Sequence, residues 1–176
     1  GMGNMQTFQE YGKEVVALDI LNYNNEKIAS NKIRELLENG EVDKIYNLLN
    51  RYYSIVGKVS YGSQVGRILG VRTANIELSD DYQIIKRGVY IVKVRIKKKE
   101  YAGVCNIGIN PSINTVSRMR LEVHILDFNE DIYGQEVSID FIKRIRDEIH
   151  FPTPEALKEQ INHDIASAKS FFGENK

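Results

Sequence analysis

Between residues 56 and 150 apolar and polar side chains alternate in a succession of short runs, and this constrains the fold more than any other feature. A period of two puts neighbouring side chains on opposite faces of a strand, one for a core and one for water. In Val89–Ile96 (VYIVKVRI), Tyr90, Val92, Val94 and Ile96 share one face, and Lys93 and Arg95 take the other. The run Lys97–Glu100 reads as a polar turn, and Tyr101–Ile107 as the returning partner of a hairpin. Leu121, Val123 and Ile125 lie together with Glu122 and His124 opposite; Val137, Ile139 and Phe141 repeat the pattern around Ser138 and Asp140. Several short strands ending in Gly, Asn and Asp suggest a small closed barrel.

The flanks are helical. Val15–Ile20 (VVALDI) is a short apolar run compatible with a buried strand, and the rest of residues 1–55 has helical spacing. Ser30 is expected to cap a helix through Asn39 that carries Ile33, Leu36 and Leu37 on one face, with Gly40 as its left-handed terminator. Val42, Ile45, Leu48 and Leu49 mark a second short helix. Two such helices bury little by themselves and must dock on something larger. Beyond the strands, Thr153 and Pro154 read as N-cap and first helical residue. Leu157, Ile161, Ile165 and Phe172 follow as an apolar stripe, with Ala168 beside it.

Composition excludes several classes. Lys plus Arg is 24 and Asp plus Glu is 24, a balance that argues against a protein whose main work is gripping a nucleic-acid backbone. Seven basic residues between Lys86 and Lys99 could touch RNA, but a solvated strand face accounts for them. The single Cys105 rules out a disulfide framework and reads as a small buried hydrophobe; a lone thiol fits the cytoplasm. No window approaches the roughly 18 apolar residues of a membrane span, and residues 1–14 hold no secretory signal. His124, His150 and His163 show no metal-ligand spacing.

Three places could carry chemistry. Gly62, Gly66 and Gly70 punctuate a loop whose backbone N–H groups could approach an anion, or which simply turns. No Walker A lysine follows them, nor the helix of a Rossmann fingerprint. Thr73 and Asn75, two apart on an extended segment, offer oxygens to one side; they could help hold Mg²⁺ that phosphates also ligate, or merely begin a strand. Glu122 faces away from the core, either to open solvent or into a cleft where it could serve as a general base.

The order of these elements is more informative than any one of them. A Gly-rich loop is followed by LG-x-x-TAN-I, GVY-x-x-x-V, a hairpin ending in N-I-G-x-x-P, LEVHILDF, D-I-Y-G, and R-x-E-x-x-F before a helix. From about Tyr53 to Phe172 this resembles the riboflavin kinase module of bacterial bifunctional riboflavin kinase/FAD synthetases. The stretch EKIASNKIRELLENGEVDKIYNLLNRYYSIVG is similar to the end of that family's FMN adenylyltransferase domain. The HxGH-type motif from the front of that domain is absent from this sequence, so no competent FMN adenylyltransferase is expected. Residues 1–55 are accordingly read as a C-terminal remnant of an adenylyltransferase-like domain and 56–176 as a riboflavin kinase domain.

The resemblance implies a mainly β fold: a six-stranded Greek-key barrel with a C-terminal helix, preceded by a small helical appendage. It implies transfer of the γ-phosphate of ATP to the ribityl 5′-hydroxyl of riboflavin, giving FMN, with Mg²⁺, in a cytoplasmic monomer without nucleic-acid or membrane partners. By position, Gly62, Gly66 and Gly70 shape the loop over the nucleotide, and Thr73 and Asn75 hold Mg²⁺ and phosphate oxygens. Glu122 receives the hydroxyl proton. Arg146, in the loop before the last helix, helps close over the flavin, which Phe151, Leu157 and Ile161 flank.

Two departures stand out. The family's F-P-T-A-N reads Val71–Asn75 with Arg72 in place of proline, and P-T after N-I-G reads Pro111-Ser112. Losing proline loosens the segment carrying Thr73, and Arg72 either contacts a phosphate or blocks the site. On that reading activity survives at a reduced level, and Arg72→Pro raises it. The alternative is a non-catalytic flavin-binding sensor or regulatory module derived from the same fold.

Overall fold

The structure is a computed structural model that describes residues 22–23, 26–27, 29–61, 70–78, 82, 85–110 and 118–174. The run Val15–Ile20 and the positions Gly62, Gly66, Pro111 and Ser112 lie outside the described residues.

Two short strands, β1 (Asn22–Tyr23) and β2 (Glu26–Lys27), pair antiparallel and lead into helices α1 (Ser30–Asn39) and α2 (Val42–Leu49). Six strands follow: β3 (Tyr53–Ser60), β4 (Ala74–Glu77), β5 (Gly88–Ile96), β6 (Lys99–Asn110), β7 (Arg118–Ile125) and β8 (Glu136–Arg146). Helix α3 (Pro154–Glu174) ends the described chain. The six strands close into a barrel in the order β3-β4-β7-β6-β5-β8, every neighbouring pair antiparallel. Strands β5, β6 and β7 run consecutively and β8 returns beside β5, which is the Greek-key arrangement expected. Closure leaves no open sheet edge.

Alternation builds the interior. Tyr90, Val92, Val94, Ile96, Cys105, Ile107, Leu121, Val123, Val137, Ile139 and Phe141 are all buried in one cluster. Strand β5 departs from simple alternation, because Val89 and Ile91 on its outer face are buried too. The reason is α3, whose Ala168, Ile165 and Phe172 cover Val89, Ile91, Val104 and Ile142 in a second cluster outside the barrel. Lys93 and Arg95 stay on the wet part of that face, as expected.

The N-terminal helices dock on the barrel. Leu36, Leu37, Val42 and Ile45 belong to the barrel's own core cluster, each burial contributing about 1.5–3 kcal/mol. Helix α1 starts one residue earlier than the capping expectation: Ala29, extended and without a side-chain cap, holds the cap position, and Ser30 opens the helix. Gly40 ends it as expected, at φ 77, with its N–H donating to Leu37 O and that of Glu41 to Leu36 O. A side chain there would lie 2.5 Å from Arg144 Cδ, so both backbone and packing require glycine. Among the described residues no helix is long and apolar enough to cross a membrane.

Candidate active site

The site forms on the outside of the barrel, where the registers of five strands line up. Asn75 on β4 faces Glu122 on β7, Glu122 faces Asn106 on β6, Asn106 faces Val89 on β5, and Val89 faces Arg146 on β8. Directly paired residues point to the same side of a sheet, and Val89 lies under α3 outside the barrel, so the whole row does. Burial of Leu121 and Val123 inside fixes Glu122 outside. The Glu122 side chain is only 21% exposed, with Oε1 3.6 Å from Arg120 Nη1. Glu122 thus lines a cleft rather than facing open solvent.

Helix α3 and the segment before it roof this row. Thr153 caps the helix, its Oγ1 accepting the Ala156 N–H at 3.2 Å. The apolar stripe divides into two jobs: Ile165, Ala168 and Phe172 hold the helix on the barrel, while Leu157 and Ile161 turn to a cleft of about 580 Å³. Thr73, Asn106, Arg120, Glu122, His124, Arg146, Glu148 and Phe151 are among the rest of its lining, and Ile165 borders it as well. One end of it is thus apolar and the other carries the carboxylate.

Arg146 is the last residue of β8, not part of a loop, because the strand continues to the row described above. Its guanidinium faces the nearly buried Asp164 of α3: Nε donates to Oδ1 at 3.0 Å and Nη2 to Oδ2 at 2.7 Å. Gln160 Nε2 adds a bond to the same carboxylate at 3.0 Å. Nη1 donates to Asp147 O at 2.9 Å, and the guanidinium carbon lies 6.0 Å from the centre of the Phe151 ring. Arg146 therefore ties the roof to the barrel and supports Phe151.

A second cleft, of about 420 Å³, adjoins the first, and Thr73 lines both. Arg72, Asn75, Phe128, Asn129 and Tyr133 are among its walls. Tyr133 stacks on Tyr61 with ring centres 4.0 Å apart, immediately before the glycine-rich stretch. Gly70 sits at the far end of that stretch with φ 78 and open space around it. Arg72 does not intrude on the first cleft: its Nη1 donates to Asn129 O at 3.4 Å and to Asn129 Oδ1. Its carbonyl lies 2.7 Å from His124 Nδ1, and because a carbonyl only accepts, that nitrogen carries the proton.

The structure thus brings Thr73, Glu122, Arg146, Phe151, Leu157 and Ile161 around one cleft, and Thr73 and Asn75 around its neighbour. Asn106, Arg120 and Glu148 were not singled out in the sequence, and His124 was weighed only as a metal ligand. Asn106 had a signal, since the hairpin pairing puts it opposite Glu122; Arg120 and Glu148 had none beyond their charge. Beneath this row Cys105 is fully buried, and burial pushes its thiol well above the usual range, so it is inert packing. Among the described residues no three His, Cys, Asp or Glu side chains converge as a metal site. Thr73 and Asn75 offer neutral oxygens to the second cleft, which Glu130 and Asp131 also line.

A closed Greek-key barrel with a two-part cleft on its outer wall, roofed by its own C-terminal helix, is a scaffold for small-molecule ligands. The family model for riboflavin kinase (flavokinase) matches residues 49–172, and the chain belongs to that family. It is 46% identical over 148 residues to the bifunctional riboflavin kinase/FMN adenylyltransferase of Haemophilus influenzae, covering 84% of this chain and 47% of that protein. The like-named protein of Buchnera aphidicola subsp. Acyrthosiphon pisum is 38% identical over 180 residues, covering 99% of this chain and 57% of that one. The chain spans about half the length of these curated relatives. A solved chain from Streptococcus pneumoniae, named as a macrolide-efflux protein, superposes with a TM-score of 0.82 at 32% identity, over 93% of this chain and 54% of that one.

Proposed function

We propose that this chain is a riboflavin kinase that moves the γ-phosphate of ATP to the ribityl 5′-hydroxyl of riboflavin. The observation that carries the reading is the meeting of two clefts at Thr73 beside the half-buried Glu122. The first cleft, with Phe151, Leu157 and Ile161 at one end and Glu122 at the other, suits a flat apolar ring system bearing a polyhydroxyl tail. The second suits a nucleotide, with Gly62, Gly66 and Gly70 as the loop over its phosphates.

In this reading the 5′-oxygen attacks the γ-phosphorus, the bond to the β–γ bridging oxygen breaks, and the hydroxyl proton passes to the Glu122 carboxylate. Phosphoryl transfer needs positioning and charge neutralisation more than covalent help from the protein. Thr73 and Asn75 would hold Mg²⁺, which when bound neutralises charge on the phosphate oxygens. The buried Cys105 fits a reducing cytoplasmic setting. Residues 56–176 form the kinase domain in this reading, and residues 1–55 are the tail of an adenylyltransferase-like domain. Arg72 turns to Asn129 in the wall of the second cleft and leaves the first free, so both the kinase and a flavin-binding module could take riboflavin there.

The test is incubation of the protein with riboflavin, ATP and Mg²⁺, followed by chromatographic separation of the flavins. FMN formation is expected. Bound riboflavin with no FMN at any Mg²⁺ concentration would favour the sensor instead.

A further inference from the structure

Residues 71–73 precede β4 and have no ladder partner of their own, yet they end in Thr73, the residue common to both clefts. What holds them is side-chain bonding. Val71 is buried. The Arg72 carbonyl accepts from His124 Nδ1 on β7, and the Arg72 guanidinium reaches across to both the carbonyl and the side-chain oxygen of Asn129 in the β7–β8 connection. Asn129 and Arg72 both line the second cleft.

We propose that Arg72 and Asn129 form a strap that fixes Thr73 at the junction of the clefts, making Arg72 a positioning residue for the nucleotide side. The strap does the job a proline would do by a different route. Proline stiffens a segment by fixing φ, whereas Arg72 stiffens it by tying the segment to a neighbouring loop. Arg72 is not among the positive-φ residues, and its N–H donates to no described residue, so proline would cost no hydrogen bond there. On this proposal the ring of Arg72→Pro takes over the stiffening that the strap supplies.

The test compares Arg72→Ala, Asn129→Ala, the double variant and Arg72→Pro by two readouts. The first is backbone hydrogen exchange of residues 70–78 in the protein without ligands. The second is the pair of KM values for ATP and riboflavin, and it alone rests on the kinase reading. Arg72→Ala and Asn129→Ala are each expected to speed exchange and to raise the ATP KM by about fivefold, near the low end for contacting pairs. The double variant should be no worse than either single one, Arg72→Pro should regain part of the exchange protection that Arg72→Ala loses, and the riboflavin KM should hold within about twofold. Unchanged exchange in both single variants, additive effects in the double, or an equal rise in riboflavin KM would overturn the strap. Should the parent make no FMN, the kinase reading fails while the exchange data still decide the strap.

Discussion

Asn75 and Glu122 are register partners across the β4–β7 ladder, both on the face turned away from the barrel core. A ladder pair of this kind is held by the backbone, so the amide oxygen and the carboxylate keep their spacing without relying on loop order. The half-burial of Glu122 comes from the opposite direction, from the roof that α3 and residues 147–153 build over it. In the proposed reading the reacting groups sit on the sheet, and the helix walls the cleft above them.

The two clefts should separate kinetically. Phe151→Ala removes the aromatic wall of the first and is expected to raise the riboflavin KM by about three- to tenfold while leaving the ATP KM near its parent value. Tyr133→Ala, in the wall of the second, should do the reverse. Steady-state kinetics with each substrate varied in turn measures both; a matching rise in both constants for either variant would contradict the assignment.

The roof depends on a nearly buried charge pair. Asp164→Ala leaves the Arg146 guanidinium without its carboxylate and is expected to cost about 3–5 kcal/mol, a fall in Tm of roughly 10 °C for a chain of this size. Replacing both partners with apolar residues, Arg146→Met with Asp164→Leu, should recover most of that loss, since a pair of hydrophobes needs no desolvation of charge. Thermal unfolding of the three proteins checks this, and a double variant as unstable as Asp164→Ala would speak against it.

Alkaline pH should destabilise the fold through its two buried tyrosines. Burial pushes the hydroxyls of Tyr53 and Tyr90 up to about 12, against about 10 in an unfolded chain. Between those values the folded state keeps protons that the unfolded state has lost. Stability is therefore full below pH of about 10 and declines as pH rises towards about 12. Unfolding midpoints measured across this range should fall steadily, and Tyr90→Phe should show a shallower decline from a lower starting point, because it also loses the bond from Tyr90 to Lys86 O. A parent midpoint flat from pH 10 to 12 would be incompatible with the burial of these hydroxyls.

Much of this architecture is legible in the chain because alternation is a strong signal wherever one face of a strand is dry. Leu121 and Val123 declare the inner face of β7, and that alone settles where Glu122 points. What alternation cannot encode is what covers the outer face. Val89 and Ile91 are apolar on the supposed wet side of β5, and only the docking of α3 explains them. Bulges escape the pattern as well. Register shifts between β5 and β8 bring Arg144 opposite the inward Tyr90, whose ring centre lies 5.9 Å from its guanidinium carbon, whereas plain alternation sends it outward with Arg146. The pairing of Arg146 with Asp164, eighteen residues on, is a tertiary event that neither residue announces. Thr73 and Asn75 were recognisable by their motif, but the division of space into two clefts on either side of Thr73 needed the fold.

The most direct measurement of the central claim is FMN formation by Glu122→Gln beside the parent, with riboflavin binding followed in both. The substitution keeps size and hydrogen-bonding capacity and removes only the basic carboxylate. The account predicts that riboflavin still binds, that the Tm stays within a few degrees, and that turnover falls by about 10²–10⁴-fold, the contribution of a positioned general base. A variant that makes FMN at the parent rate would contradict the role given to Glu122 and, with it, the chemistry assigned to the cleft.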